Sequence, residues 1–515
     1  MAGRIVHGRD AREDRVVRAD VVVCGSGAGG SMAARELARG GLEVVLLEEG
    51  EDLVPSDFDQ REDTTIPRLF QQAGGRRTDD LAITILGGRG LGGSTLHNTN
   101  LIKRTPPEIL LYWRNELGIE TVGPDEMAPI FGAVERDLGV RRIPDERINL
   151  HNQIVRRGVE RLRFQGAVLS HNRDERCIGS GFCELGCTYD GKLNARRVLV
   201  PEAIAAGATV YTDARVDRVR LDVGAIASGV DATLLDARGK RRARLEVRAN
   251  VVCLAGSAIG SAAIALASDL PDPNEQIGTC LRIHPAALVA GVFEERVEAW
   301  RGIPQSYECT EFLDLRPRSQ RRVWIVPSFA HPVGIAAMTA GFGPSLMRQM
   351  RNFPRLAALA ALVHDETEGR VYLDGDRVKI AYEPNASDRD QLALGAREAG
   401  RILLAAGARE VQVPAPRPIV ARTEAELGEI TADRFLPHDA RITAVHPMGT
   451  MRMGPDPATS VVDPHGRHHH VRNLYLVDGS LFPTSIGAPP QLSIYAFASK
   501  VARHILGTRT RDPSH

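Results

Sequence analysis

The first fifty residues alternate between short apolar runs and a glycine-rich turn. The apolar run VVVC occupies residues 21–24, the turn GSGAGG follows at 25–30, and a second apolar run, VVLL, occupies 44–47. Short apolar runs bounded by turn residues are typical of buried parallel strands. The pattern therefore predicts a strand, a tight turn, a helix and a second strand that ends at Glu48.

The turn has the spacing G-x-G-x-x-G, which favours a bound dinucleotide. Gly25 permits the tight turn, Gly27 lets the backbone approach a pyrophosphate, and Gly30 lets the helix pack closely on the strand. The helix N-terminus offers free N–H groups to phosphates, and the Glu48 carboxylate can accept hydrogen bonds from ribose hydroxyls. The alternative is a glycine-rich turn in an ordinary α/β unit.

Further along the chain the periodicity changes twice. Residues 285–385 alternate like antiparallel strands and include a hairpin, 370–373 against 378–382, around the turn Asp374-Gly375-Asp376. Strand, turn and helix patterns return over 474–506. A nucleotide-binding domain interrupted by a substrate domain fits this order. Helical patterns are predicted at 106–140, 196–206, 387–406 and 491–506, and a further buried strand at 251–254.

Composition narrows the class of protein without identifying it. A chain of 515 residues is too long to fold around a single hydrophobic core, and contents of 43% hydrophobic and 25% charged residues are ordinary for a soluble enzyme. The formal net charge is zero, which favours neither nucleic acid nor an anionic membrane as a general partner. The sequence contains no apolar run of about 18 residues, so no membrane-spanning helix is predicted, and the polar start lacks a signal-peptide pattern. We expect a cytoplasmic protein, unless a partner carries an export signal.

Three later segments of the chain contain further sequence motifs. They are GRGLGGSTLHN at 88–98, HPMGTMRMG at 446–454 and NLYLVDGSLFPT at 473–484. Together with the first turn, their order and spacing resemble the glucose–methanol–choline (GMC) oxidoreductases, which are FAD-dependent alcohol oxidases and dehydrogenases. The resemblance covers about 18–508 and is weak over 290–430.

The resemblance implies an α/β fold, in which a Rossmann-like FAD-binding domain carries an inserted α+β substrate domain built on an antiparallel sheet. We expect residues 1–120, 190–285 and 440–515 in the FAD-binding domain, a cysteine-containing insertion at 121–189, and the substrate domain at 286–439. The resemblance also implies which residues contact FAD. The adenosine diphosphate half would be held by Gly25, Gly27, Ala28 and Gly30 at the pyrophosphate, Glu48 at the ribose and Val216 at the adenine. The flavin and ribityl chain would be approached by Gly92, Gly93, Ser94 and Asn98, and the ribityl or pyrophosphate region by Asp478 and Gly479.

His446 matches the catalytic histidine of the family. Oxidising an alcohol removes a hydroxyl proton and passes a hydride to flavin N5, and a histidine suits the proton step as general base. The family usually places a second histidine or an asparagine just before the last helix, but Pro489 stands there. Proline has no side-chain hydrogen-bonding group. His446 then acts alone, or a side chain enters from the substrate domain, or a shifted alignment brings Gln491 into the site. His284, at the entry to the substrate domain, is a further candidate for the active-site wall.

His97 falls where some members of the family link a histidine covalently to the flavin. Covalent attachment through His97 and non-covalent packing beside the ring are both open.

Cys177, Cys183 and Cys187 have C-x5-C-x3-C spacing, with glycines between them. Such thiols can wrap a metal or an iron–sulfur cluster, and some dehydrogenases of this family carry a 3Fe-4S cluster on similar cysteines. Free thiols, one disulfide, or a zinc site with His171 are the alternatives. A cluster would pass electrons to a cytochrome or another subunit, and on this ground a dehydrogenase is favoured over an oxidase.

The sequence thus predicts FAD-dependent oxidation of a CH–OH group in a small-molecule alcohol. Two other functions stay open at this stage. One is a non-redox enzyme on the same fold, a hydroxynitrile lyase or a photoenzyme, since Pro489 leaves the usual catalytic pair incomplete. The other is a flavoprotein subunit that only relays electrons.

Overall fold

A computed structural model describes residues 3–317 and 319–509 of the chain. Its first sheet has eight strands, and its centre is parallel. The predicted strand at 21–24 is the end of a longer strand, Arg15–Cys24, which pairs in parallel with Val44–Leu47 and with Arg241–Leu254. Val21, Val22 and Val23 have no exposed surface, as expected for a strand covered on both faces. In spatial order the strands are Arg4–His7, Thr209–Thr212, Val44–Leu47, Arg15–Cys24, Arg241–Leu254, Ile226–Leu235 and Ala214–Asp222, and Leu474–Leu476 also pairs with Arg241–Leu254.

The second sheet is largely antiparallel. Its path runs through Ile419–Ala421, Glu410–Val413, Ala286–Val292, Leu356–Val363, Val323–Pro327, Tyr307–Cys309 and Gly166–Val168. Ile442–Ala444 pairs with Ala286–Val292 on one side and, in parallel, with Ile83–Ile85 on the other. This sheet therefore also takes strands from outside residues 286–439.

Helices cover both sheets. Ala28–Arg39 packs against Gln491–Arg509 and Ala195–Ala205 beside the first sheet, and Ala386–Ala405 packs across the second. The other helices are Glu62–Leu69, Pro107–Asn115, Pro124–Asp137, Leu150–Arg161, Ser257–Ala267, Pro332–Met338 and Gly343–Met350. Two small antiparallel sheets join Val140–Arg142 with Ser170–Asn172 and Arg370–Asp374 with Arg377–Ala381.

The predicted fold class is confirmed: a Rossmann-like parallel sheet and an antiparallel substrate-side sheet occur in one chain. The hairpin forms around Gly375, and the predicted helix over 106–140 is two helices, since a break over 116–123 separates Pro107–Asn115 from Pro124–Asp137. Within the described ranges, no helix is both long and apolar enough to cross a lipid bilayer.

Candidate functional site

The glycine turn joins Arg15–Cys24 to the helix Ala28–Arg39. Gly25 has a φ of 112°, a left-handed conformation that favours glycine. A Cβ atom on Gly29 would collide with the carbonyl oxygen of Val477, and one on Gly30 with that of Gly25. A Cβ atom on Gly27 would meet nothing within 4 Å. The turn is therefore packed from behind and open at Gly27, where the sequence predicts a pyrophosphate.

The second glycine-rich loop closes over this turn. Gly92 and Gly93 have φ values of 111° and 54°, and a Cβ atom on Gly93 would lie 2.8 Å from Gly27 Cα. Ser94 is exposed, and its hydroxyl accepts a hydrogen bond from the Gly88 amide at 2.8 Å. The structure thus brings together two loops that are more than 60 residues apart in the sequence.

Glu48 connects the two loops. Its carboxylate accepts hydrogen bonds from the Ser26 hydroxyl at 2.6 Å and from the amides of Ser26, Gly50 and Gly90 at 3.1, 2.9 and 3.1 Å. Burial raises the pKa of Glu48, and these hydrogen bonds oppose that shift. In this structure the carboxylate fixes the loops, a role that the ribose-binding prediction did not include.

The other predicted contacts lie on the neighbouring elements. Asp478 is buried, and it accepts hydrogen bonds from the Ser261 hydroxyl at 2.6 Å and the Ser480 amide at 2.8 Å. A Cβ atom on Gly479 would lie 3.2 Å from Ile494, in the last helix. Half-buried Val216 lies on the edge strand Ala214–Asp222, whose first amide donates to the Glu48 carbonyl at 2.8 Å.

His97 and Asn98 end the second loop. The His97 ring is buried and packs on Phe70 with 4.1 Å between ring centroids. Its Nε2 atom has no hydrogen-bond partner among the described residues, and burial, helped by the nearby charge of Lys192, lowers its pKa to about 3. Asn98 Oδ1 accepts a hydrogen bond from the Asn100 amide at 3.3 Å.

Lys192 was not predicted, yet it supports this loop. Its buried ammonium group donates to the carbonyl oxygens of Leu96 at 3.1 Å, Cys183 at 3.0 Å and Asn98. It therefore ties the end of the second loop to the cysteine segment. A single buried lysine has no periodic signal in a sequence, which explains why pattern analysis missed it.

Several buried polar atoms near these loops and at the start of the last helix lack partners. They include Nε2 of His97, both amide atoms of Gln491 and the hydroxyl of Ser485. Buried polar groups are normally hydrogen-bonded, so unpaired ones next to an open glycine turn fit a polar ligand that supplies donors and acceptors. The residues present thus fit a bound dinucleotide such as FAD.

His446 pairs with His284. Their Nδ1 atoms are 3.1 Å apart, the rings meet edge to face, and the Gly487 amide donates to His284 Nε2 at 3.2 Å. Burial lowers the pKa of His284 to about 3 and lowers the pKa of His446 well below 6.5. Both rings are therefore neutral at physiological pH, and the weak candidate His284 is the direct partner of the predicted catalytic histidine.

Pro489 is buried just before Gln491–Arg509, and it has no side-chain polar group to offer. The substrate-side sheet brings another histidine close by. His364 follows the strand Leu356–Val363, and its Nδ1 atom is buried without a partner, 3.3 Å from where a Cβ atom on Gly487 would lie. His364 is thus a polar side chain from the substrate side, as one of the predicted alternatives requires.

The three clustered cysteines and Lys192 line one pocket. All three are free thiols, and the described residues contain no group of three or more His, Cys, Asp or Glu side chains placed to hold a single metal ion. Burial raises the pKa of the Cys183 thiol to about 12, and the nearby charge of Lys192 opposes that shift. His171, the possible zinc ligand, bonds the Gln305 carbonyl at 3.0 Å instead. In this structure the three cysteines are therefore free thiols without a disulfide, and the iron–sulfur cluster stays a prediction.

Comparisons with known proteins agree with this site. Two models of the GMC oxidoreductase family match residues 66–286 and 365–498, and an FAD-binding-domain model matches 20–54. An uncharacterized GMC-type oxidoreductase of Mycobacterium tuberculosis is 32% identical over 492 residues, 95% of this chain and 76% of that protein. Long-chain-alcohol oxidase FAO3 of Arabidopsis thaliana is 27% identical over 533 residues, 98% of this chain and 70% of that protein.

Among solved structures, pyridoxine 4-oxidase from Mesorbium loti matches with a TM-score of 0.71 at 19% identity. The match covers 94% of this chain and 98% of that one. At this identity the likeness concerns the fold alone.

Proposed function

Because the chain belongs to the GMC oxidoreductase family of FAD-dependent enzymes, we propose that it oxidises the CH–OH group of an apolar alcohol and that His446 takes the hydroxyl proton. FAD, when bound, supplies the two-electron acceptor for the hydride. The observation that carries the proposal is the pair of neutral histidines formed by half-buried His446 and buried His284. The apolar substrate class is supported by the similarity to a long-chain-alcohol oxidase.

The residues expected to hold FAD lie on four segments. The open turn at Gly27 and the amides that begin Ala28–Arg39 suit the pyrophosphate. Gly93, His97 and the unpaired amide of Gln491 suit the flavin end. We propose that His97 packs against the flavin without a covalent bond, since its ring already packs on Phe70.

The Gly487 amide determines which ring nitrogen carries the proton in each histidine of the pair. Its amide donates to His284 Nε2, so neutral His284 carries its proton on Nδ1 and donates it to His446 Nδ1. Neutral His446 then carries its own proton on Nε2. This arrangement lets Nε2 donate a hydrogen bond, but it does not let Nε2 accept a proton.

The reverse arrangement makes His446 a base. If His446 Nδ1 carries the proton and donates it to His284 Nδ1, Nε2 is free, but the Nε2–H of His284 then faces the Gly487 N–H. We propose that a bound hydroxyl, by donating to His446 Nε2, replaces the hydrogen bond lost at Gly487. The substrate would thereby shift the pair to its base-competent form, and His446 would accept the hydroxyl proton at Nε2 as the hydride leaves carbon.

His364 is proposed as the polar group that stands in for the residue missing at Pro489. It approaches Gly487 from the substrate-side sheet, and burial lowers its pKa well below 6.5, so it is neutral and can position a hydroxyl group by hydrogen bonding. The proton and hydride steps above do not use the cysteines, and the preference for a dehydrogenase over an oxidase stays a prediction that rests on them.

The test is anaerobic reduction of the purified, FAD-loaded protein by a series of primary alcohols of increasing chain length. We expect the flavin absorbance to bleach, with faster bleaching as the chain lengthens, and a His446→Ala variant that keeps its FAD to bleach at least about 100-fold more slowly. If His446→Ala bleaches as fast as the parent, or no alcohol bleaches the parent, the proposal is wrong. Re-oxidation by air or by an artificial acceptor then separates an oxidase from a dehydrogenase.

A further inference from the structure

The segment 332–350, which we call the apolar excursion, leaves the substrate-side sheet between Val323–Pro327 and Leu356–Val363. Its helices, Pro332–Met338 and Gly343–Met350, contain no buried residue. Phe342 is 87% exposed, Met347 65% and Val333 59%. Several large apolar side chains exposed within one short segment are unusual at a protein surface and favour a contact surface there.

Along the sequence, the formal charges within and beside the excursion are all positive. From 315 to 364 the chain has seven arginines and no Asp or Glu, although the net charge of the whole protein is zero. Arg348, Arg351 and Arg355, which follow Phe342, form no ion pair with the described residues, whereas Arg316, Arg321 and Arg322, before the excursion, are all paired with carboxylates. The excursion thus combines exposed apolar groups with uncompensated positive charge.

The excursion is held at its start and just after its end. Glu62 accepts hydrogen bonds from the amides of Val333 at 2.7 Å and Gly334 at 2.8 Å, which places a carboxylate at the N-terminus of Pro332–Met338. After the second helix, Phe353 stacks on Trp300 with 4.6 Å between centroids. The excursion is therefore a fixed surface feature.

The excursion also connects to the candidate site. His331, directly before it, stacks on Phe182 with 4.4 Å between centroids. Phe182 precedes Cys183, whose carbonyl accepts from Lys192, and Lys192 holds the loop of His97. A partner bound at the excursion would lie beside the part of the molecule that holds the flavin loop.

We infer that the apolar excursion docks onto an anionic phospholipid surface. Phe342, Met347 and Val333 enter the boundary between headgroups and acyl chains, while the arginines that follow contact lipid phosphates. The inference goes beyond the proposed function, which concerns only the chemistry at His446. It also gives an apolar alcohol dissolved in a bilayer a short route to the enzyme.

The test is co-sedimentation of the FAD-loaded protein with vesicles, measured without any alcohol. Phosphatidylcholine vesicles are compared with vesicles of phosphatidylcholine and phosphatidylglycerol. The variant is Phe342→Asp and the matched control is Val223→Asp, which changes charge equally at a 97% exposed position on a hairpin of the first sheet. FAD content and thermal midpoint verify that each variant is folded.

We expect binding to phosphatidylglycerol vesicles that is at least about tenfold weaker in Phe342→Asp and unchanged in Val223→Asp. Replacing Arg348 and Arg351 by Gln should weaken this binding by about fivefold for each charge. Equal loss in both Asp variants, equal binding to both vesicle types, no binding by the parent, or a dimer that Phe342→Asp dissociates would each overturn the inference. Vesicle binding that fails while alcohols still bleach the flavin refutes this inference alone, and the reverse result refutes only the proposed function.

Discussion

Replacing His284 by leucine tests how the histidine pair works. The substitution removes the Nδ1 atom that lies 3.1 Å from His446 Nδ1, while Asp365 still accepts hydrogen bonds from the backbone amides of Ile283 at 2.9 Å and residue 284 at 3.3 Å. In the base-competent form His446 Nδ1–H donates to His284, and leaving a buried donor without its acceptor costs about 1–3 kcal/mol. At about 1.4 kcal/mol for each factor of ten, we expect the rate constant of flavin reduction to fall roughly 5- to 150-fold.

Stopped-flow flavin reduction in the parent, His284→Leu, His446→Ala and the double variant gives the decisive comparison. If His284 acts only through His446, the double variant reduces flavin no more slowly than His446→Ala alone. If His284→Leu slows flavin reduction by the same factor in His446→Ala as in the parent, the reasoning is refuted. His284 has a φ of 49°, where asparagine is tolerated, so His284→Asn is the conservative control and should recover part of the rate through its amide oxygen, which can accept from His446 Nδ1.

The structure supports four further predictions. Since burial depresses the pKa of His446, its ring stays neutral as the pH falls below 6.5, and the acid limb of kcat/KM should lie well below that pH. Gly27→Ala should keep the thermal midpoint of the apoprotein and weaken FAD binding, whereas Gly29→Ala, which meets a carbonyl oxygen, should lower the midpoint itself. Burial raises the pKa of Asp231, but hydrogen bonds from three arginines outweigh burial and lower the pKa from 3.8 to about 2. The contribution of this carboxylate to the free energy of unfolding is thus complete above about pH 4 and lost as the pH falls through 2. Urea unfolding of Asp231→Asn should lack this part of the pH dependence. Lys192→Met should release FAD more readily on dilution, because its ammonium group holds the carbonyl oxygens of Leu96 and Asn98 in the second glycine-rich loop.

The backbone pattern of the nucleotide site could be predicted from the sequence because local chemistry decides it. Continuous apolar runs specify buried parallel strands, and the glycine spacing specifies a turn that only small residues can form. The role of Gly29 was missed because its close neighbour, Val477, is remote in the sequence. Glu48 was found by position, but the hydrogen bonds from Ser26 and Gly90 depend on how two loops meet.

The parts of the site that the sequence could not supply depend on long-range geometry. His284 and His446 are 162 residues apart, and no local signal pairs them. The cysteine spacing is compatible with a cluster, but spacing does not report that Lys192 lines the same pocket as the three thiols. His364 was invisible because the substrate-side segment has little resemblance to any motif, and only the strand Leu356–Val363 brings it to Gly487.

The strand Leu474–Leu476 has a consequence for how the protein is made. It pairs with Arg241–Leu254, and the residue that follows it, Val477, supports the glycine turn at Gly29. The first sheet therefore lacks one of its strands until the chain has been synthesised through Leu476, although its first strand begins at Arg4. Such non-local pairing slows folding and leaves apolar strands exposed during synthesis. The glycine turn likewise lacks its support until Val477 has been added, so a chain truncated before Leu474 should yield an aggregating product rather than a smaller flavoprotein.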